Sequence, residues 1–375
     1  MKCLHPVTCW QCGQTLSADC VFSPRLVFSR RAALDYFVGI YGSDFKIPMD
    51  ACEMSVPCNK CINCQVQKRK DMSVRLAHEA SQFENCCFIT LTYSPENVPV
   101  TDGKPFDKSQ EFFYSRHHLD VPFAEFEEQS KVGFAKHKKR LEIPCYQTLL
   151  PSDVQKFMKR LRRHLEYVPV KRRGIRDHIK KVRYFAVGEY GGKTYRPHYH
   201  IVVFGWKPSD LEHLKWHNGK EVFTSRQLQK CWRFGFSSVT EVNPYVAKYC
   251  ARYVTKKFSR LGSADPRSKC VIPEFVLQST RDGAIGATWF DKYGCDACKV
   301  GLATLRVGDM IQRVAIPRYY WNRLRKKFQD VWIKCREDKI SFLLSNDTKP
   351  DMDEIKRYAE FHREKIRREV DNEVF

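Results

Sequence analysis

The stretch "GEYGGKTYRPHYHIVVFG", residues 188–205, decides how this chain is read. Its first half presents Gly192, Lys193 and Thr194 in the manner of a phosphate-cradling loop. Its second half sets His198 and His200 two positions apart in an apolar run. A phosphate-binding loop needs four residues between its first glycine and the Gly-Lys-Thr. It must also lead from a strand into a helix whose N-terminal amides face the phosphates. Only three residues separate Gly188 from Gly192, and the run that follows is aromatic and β-branched. Both conditions fail. The segment reads instead as an antiparallel hairpin, with strands over 182–189 and 198–205 and an eight-residue turn-rich loop.

In a strand, residues i and i+2 share a face, so His198 and His200 project side by side and Tyr199 points the other way. Glu189, at the end of the partner strand, is placed to reach the same face from across the ladder. Two imidazoles and one carboxylate with open positions suit a divalent cation. For an isolated histidine pair, hydrogen bonding at a sheet surface is the plainer alternative.

The elements around the hairpin weigh against that alternative. "CFITLTY" (87–93) reads as a strand with Phe88, Thr90 and Thr92 on one face and Ile89, Leu91 and Tyr93 on the other. Residues 65–83 read as a helix whose apolar positions are Val66, Met72, Leu76, Ala77 and Ala80; Lys68, Arg69, Lys70 and Arg75 are candidates to face phosphates. "SDVQKFMKRLRRHLEY" opens with Ser152 and Gln155 at capping-box spacing and buries Val154, Phe157, Met158, Leu161 and Leu165. "SRQLQKCW" suggests a short helix and "FSSVTEV" a strand. Asn243-Pro244 then opens a helix carrying Tyr245, Tyr249 and Tyr253 at i, i+4 and i+8. Such tyrosines are usually core, but Lys248, Arg252, Lys256 and Lys257 are interspersed, which does not suit a fully buried helix. A phenol with an ordinary pKa of about 10 needs a nearby cation or base to attack a phosphodiester, and a histidine-bound metal would polarise that phosphate.

Composition agrees with a polyanionic partner. The chain has 375 residues and a 43% apolar fraction, enough for a real core. Its 65 Lys and Arg against 43 Asp and Glu give a formal charge of +22, which suits nucleic acid or an anionic membrane surface. No apolar run approaches the span of about 20 residues that crosses a bilayer, and "MKCLHPVTCWQCG" lacks the apolar segment of a secretory signal. A soluble protein of the bacterial host cytoplasm is expected.

The strand "FITLTY", the strand "RPHYH" and the helix "YCARYVTKK", in that order, resemble the three motifs of the HUH-superfamily rolling-circle replication initiators, the two-tyrosine subclass in particular. "VPCNKCINCQVQKRKDMSVRLAHEA", "VGEYG", "PEFVLQSTRDGAIG" and "IPRYYWNRLRKKF" extend the resemblance to the initiators of microviruses of the gokushovirus group, from about Val56 to Phe328. That resemblance implies an α+β fold with a central antiparallel sheet flanked by helices, of RRM or ferredoxin-like topology. It implies a metal-dependent endonuclease and strand transferase that nicks one strand of circular viral DNA at the origin, retains the 5′ end as a phosphotyrosine and religates it. His198, His200 and Glu189 would hold Mg2+ or Mn2+. Tyr249 and Tyr253 would be the nucleophiles, preferred over Tyr245 because "YVTKK" begins at Tyr253, and Lys256 would stabilise charge. Single-stranded and origin DNA, a host helicase and a host polymerase are the implied partners. "STRDGAIG" departs from the arginine-rich, proline-containing stretch of the family, so a DNA contact there is in doubt. Lys193 or Arg196 in the hairpin loop are further candidates to touch DNA.

The 17 cysteines include Cys9 and Cys12, Cys58, Cys61 and Cys64, and Cys295 and Cys298 at CxxC spacings. The first five are candidate ligands of a structural Zn2+, with reduced thiols as the alternative; the last pair lacks a second pair to complete a site. The expected division is a Cys-rich segment and basic helix over 1–84, an endonuclease domain over 85–260 and an extension over 261–375. Two rivals stand beside the nicking enzyme: a non-catalytic, zinc-stabilised DNA-binding protein, and a relaxase or transposase of the same superfamily.

Overall fold

Residues 3–16, 22–41, 53–101, 146–167, 182–191, 195–217, 219–242, 270–307, 310–345 and 352–371 are described by the structure, a computed structural model. They fall into two units, one drawn from Met1–Asp71 with Phe290–Asn372, the other from Met72–Trp289.

In the first unit, strands β1 (Val7–Leu16), β2 (Phe22–Val27) and β3 (Glu53–Val56) pair antiparallel in the order β2-β1-β3. Trp10 and Cys12 pack with Ala33 and Phe37 of the helix Arg30–Tyr41. The cysteine-rich start is thus regular where its sequence suggests irregularity. Between Gln11 and Gln14 the register shifts, and such a bulge interrupts the two-residue alternation by which a strand is read. The tail helix Met352–Asp371 is docked rather than merely solvated. Ile355 and Ala359, one turn apart, are buried, and the Ile355 carbonyl accepts from Asn63 Nδ2 at 3.3 Å.

The second unit is built on a seven-stranded, wholly antiparallel sheet flanked by helices, an α+β arrangement. Its strands are β4 (Cys86–Tyr93), β5 (Arg183–Tyr190), β6 (Pro197–Phe204), β7 (Leu211–His217), β8 (Lys220–Ser225), β9 (Gly235–Glu241) and β10 (Phe275–Gln278). They lie in the order β10-β5-β6-β4-β9-β8-β7, so β6 and β4 are central. Every residue of β6 is buried. β5 and β6 each extend one residue further toward the loop than their sequence suggests, leaving 191–196 between them.

Alternation divides the core. Ile89, Leu91, Tyr93, Tyr199, Ile201 and Val203 face one side, under the helix Pro151–Tyr167, where Val154, Phe157, Met158 and Leu161 are buried. Each such side chain contributes about 1.5–3 kcal/mol by burial. That helix begins at Pro151, so Ser152 lies inside its first turn and not at the cap. Proline, with its φ already near helical values and no amide hydrogen, fits the first position better. On the other side, Leu76 of the helix Ile62–Ala80 packs on Phe88, Phe185, Val187, Val202 and Phe204.

Gly188 has a packing reason. It lies opposite Phe275, and a Cβ there would stand 2.7 Å from the Phe275 ring and 3.2 Å from Leu149. The glycine that imitates a phosphate loop is the seat of an aromatic ring.

"STRDGAIG" is likewise structural. Arg183, buried, pairs with Glu79 and donates to the carbonyls of Arg281 at 2.6 Å and Gly283 at 2.9 Å. Glu79 also accepts from the Gly286 amide at 2.6 Å, and Arg75 donates to the Ile285 carbonyl at 2.9 Å. No helix among the described residues is long and apolar enough to cross a membrane.

Candidate metal centre

The pleat of β6 sets His198 and His200 on one face and Tyr199 on the other. Register completes the group: Glu189 lies opposite His198, while Thr92 and Thr90 flank His198 and His200 from β4. Glu189 Oε2 stands 3.6 Å from the Nε2 of each histidine, and all three residues are buried. That is too long for a good hydrogen bond. Donor atoms held about 2.1 Å from one ion lie about 3.0–3.4 Å apart, so small side-chain rotations would close the three around a cation. The group is one that can hold a metal ion.

The outer nitrogens support this. His198 Nδ1 lies 3.1 Å from the Arg196 carbonyl oxygen, which can only accept, so Nδ1 carries the proton and Nε2 keeps its lone pair toward Glu189. His200 Nδ1 lies 3.1 Å from Thr90 Oγ1, which can accept in the same way. The Phe88 ring stacks on His200 at 5.4 Å and 11°, fixing its plane. Partners of this kind orient ligating imidazoles.

The reverse face is closed. Tyr93 Oη donates to Asp153 Oδ2 at 2.7 Å and lies 2.6 Å from Tyr199 Oη, which accepts from the Leu150 amide at 2.8 Å. Burial pushes both phenols well above their usual range, so they stay neutral. The network pins β4 and β6 to the start of the helix Pro151–Tyr167.

Arg196 donates to the Tyr93 carbonyl at 2.9 Å and so ties the loop to β4; Lys193 lies outside the described residues. Lys68 donates to the Asn59 carbonyl, Lys70 to Tyr358 Oη and Arg75 to Ile285, so these three cations serve contacts within the protein. Tyr245, Tyr249 and Tyr253, with Lys248 and Lys256, lie outside the described residues.

Two residues escaped the sequence reading. Phe236 sits opposite Thr92 on the metal face and is 66% exposed. Ser237 and Val239 point inward, and that alternation alone could have turned Phe236 outward. Cys3, an isolated cysteine, joins Cys58, Cys61 and Cys64 in a second group whose sulfur atoms lie within 4.8 Å of one another. Cys9 and Cys12 are not in it. Both lie in β1, where residues an odd number apart face opposite sides and three positions span about 10 Å. Burial acts to raise the Cys58 thiol, but the amides of Cys61 and Lys60 outweigh it and hold it at about 6.

Known proteins are similar over the same stretch of chain. The family model of the replication-associated protein ORF2 matches residues 140–258. The chain is 28% identical over 294 residues to the replication-associated protein ORF2 of Spiroplasma virus 4, covering 76% of this chain and 74% of that one. It is 25% identical over 336 residues to the replication-associated protein VP4 of Bdellovibrio phage phiMH2K, covering 89% and 80%. Against the replication-associated protein ORF4 of Chlamydia phage 1 it is 28% identical over 276 residues, covering 72% and 54%. No solved structure matches the chain.

Proposed function

We propose that this chain, a relative of the phage replication-associated proteins, initiates rolling-circle replication by nicking one strand of circular viral DNA and religating it. The observation that carries the reading is the convergence of Glu189, His198 and His200 on one buried face, within the unit that bears most of the family match. Mg2+ or Mn2+ held there would polarise the scissile phosphate and offset the charge that develops on it. Thr90 and the Arg196 carbonyl orient the two imidazoles. Phe236, exposed on the same face, offers a ring on which an unpaired base can stack.

The reacting groups are Tyr249 and Tyr253. A phenolic oxygen bonds to phosphorus, the bond from phosphorus to the 3′-oxygen breaks, the phenol gives up its proton, and the departing 3′-oxygen takes one up. The 5′ end stays on the protein while the free 3′-hydroxyl primes a host polymerase, with a host helicase unwinding ahead. A second tyrosine lets the regenerated origin be cut while the first still holds the old end. Residues 85–260 are proposed as the endonuclease domain, acting in the bacterial cytoplasm where the genome replicates.

The test is a chain with both Tyr249→Phe and Tyr253→Phe, incubated with Mn2+ and single-stranded circles of the phage genome. The covalent adduct should vanish while salt-sensitive binding persists. Adduct formation at the parent level, or a parent chain that never forms one, would refute the mechanism and leave a non-catalytic DNA-binding protein.

Thr90→Val removes the acceptor beside His200 with little change of shape. Mn2+ affinity, measured by calorimetry, is expected to fall about 10–100-fold. An unchanged affinity would show that Thr90 does not orient the ring.

A further inference from the structure

The geometry points to a second, purely structural metal: a Zn2+ held by Cys3, Cys58, Cys61 and Cys64, with the N-terminal Cys3 and not the CxxC pair of β1 closing the tetrahedron. Zinc bound by four thiolates at about 2.3 Å sets neighbouring sulfurs about 3.8 Å apart. Cys3 Sγ stands 3.5 Å from Cys58 Sγ and 3.7 Å from Cys61 Sγ, and Cys58 Sγ stands 4.0 Å from Cys64 Sγ. A disulfide would bring two sulfurs to about 2.05 Å and leave no reason for all four to share one point.

The local chain is shaped for the same ion. Cys58 and Cys61 bracket a tight turn in which Asn59 takes the left-handed conformation, at φ 59°, that asparagine tolerates better than most side chains. The turn aims backbone amides at sulfur: Cys61 N lies 3.2 Å and Lys60 N 3.5 Å from Cys58 Sγ, and Cys58 N lies 3.4 Å from Cys3 Sγ. Donors so placed stabilise thiolate charge. Gln65 Nε2 donates to the Asn59 carbonyl at 2.6 Å, bracing the turn from the helix Ile62–Ala80 in which Cys64 sits. With four protein ligands and no position for water, the site is built to hold structure and not to catalyse.

The full-length protein is purified under reducing conditions and its metal counted by mass spectrometry. One zinc per chain is expected, and Co2+ in its place should give the intense sulfur-to-metal absorption of a four-thiolate site. Cys3→Ser should lose the zinc to a chelator that the parent resists. Cys9→Ser, Cys12→Ser and His200→Ala should each keep it, the last separating this ion from the one proposed on the sheet. If Cys3→Ser is insoluble, the parent's cobalt spectrum decides the matter. A parent with no zinc, with iron in its stead, or with no thiolate band would overturn the inference. So would zinc that survives Cys3→Ser but is lost from Cys9→Ser or Cys12→Ser.

Discussion

With alanine in place of His200, the protein is expected to bind single-stranded DNA much as before, yet to nick it on the order of 100-fold more slowly or worse, because a Lewis acid contributes several kcal/mol to the transition state. His200 is the better residue to remove because it is the more fully fixed of the pair. It is 2% exposed, stacked on Phe88, beside Thr90, and 3.6 Å from Glu189. Its loss removes a ligand without opening the apolar core, since Val202 and Phe88 fill the next positions of that face. Raising Mn2+ should recover part of the rate, as weakened binding requires. Tyr199→Phe, on the reverse face, should lower stability while leaving nicking in place. Nicking by His200→Ala within twofold of the parent would remove the metal from the mechanism.

The largest structural loss is expected from Arg183→Met. The Glu79 carboxylate would stay buried with its charge uncompensated, and the carbonyls of Arg281 and Gly283 would lose their donor. Cutting one side of a buried ion pair costs about 3–5 kcal/mol, readable as a drop in the denaturant midpoint. Replacing Glu79 by Leu in the same chain should recover part of the loss, because the stranded charge goes too. Recovery stays incomplete, since the Gly286 amide and the two carbonyls still lack partners. A loss under about 1 kcal/mol would mean that solvent reaches the pair.

Much of this was legible in local sequence. The hairpin, the placement of Thr90 with the histidine face, and the buried stripe of the helix Pro151–Tyr167 all follow from periods of two and 3.6. Strand order was not legible, because the pairing of β10 with β5 joins residues some ninety apart and local pattern carries no record of it. The N-terminal sheet was hidden by a bulge, and the fourth thiolate by its distance from the other three. The basic residues of the helix Ile62–Ala80 misled for another reason. Charge shows in sequence, but the carbonyl or phenol that engages it does not.

In "HYH" one strand carries two incompatible duties at alternate positions. The imidazoles belong to the metal face, and Tyr199 belongs to the sealed network beneath. A slip of β6 by a single residue would exchange them, driving imidazoles into the apolar core and a phenol into the site. The loop at 191–196 is therefore free to vary in length only so far as it returns β6 in phase. Phase, not the length or the Gly-Lys-Thr of that loop, is what the hairpin has to preserve.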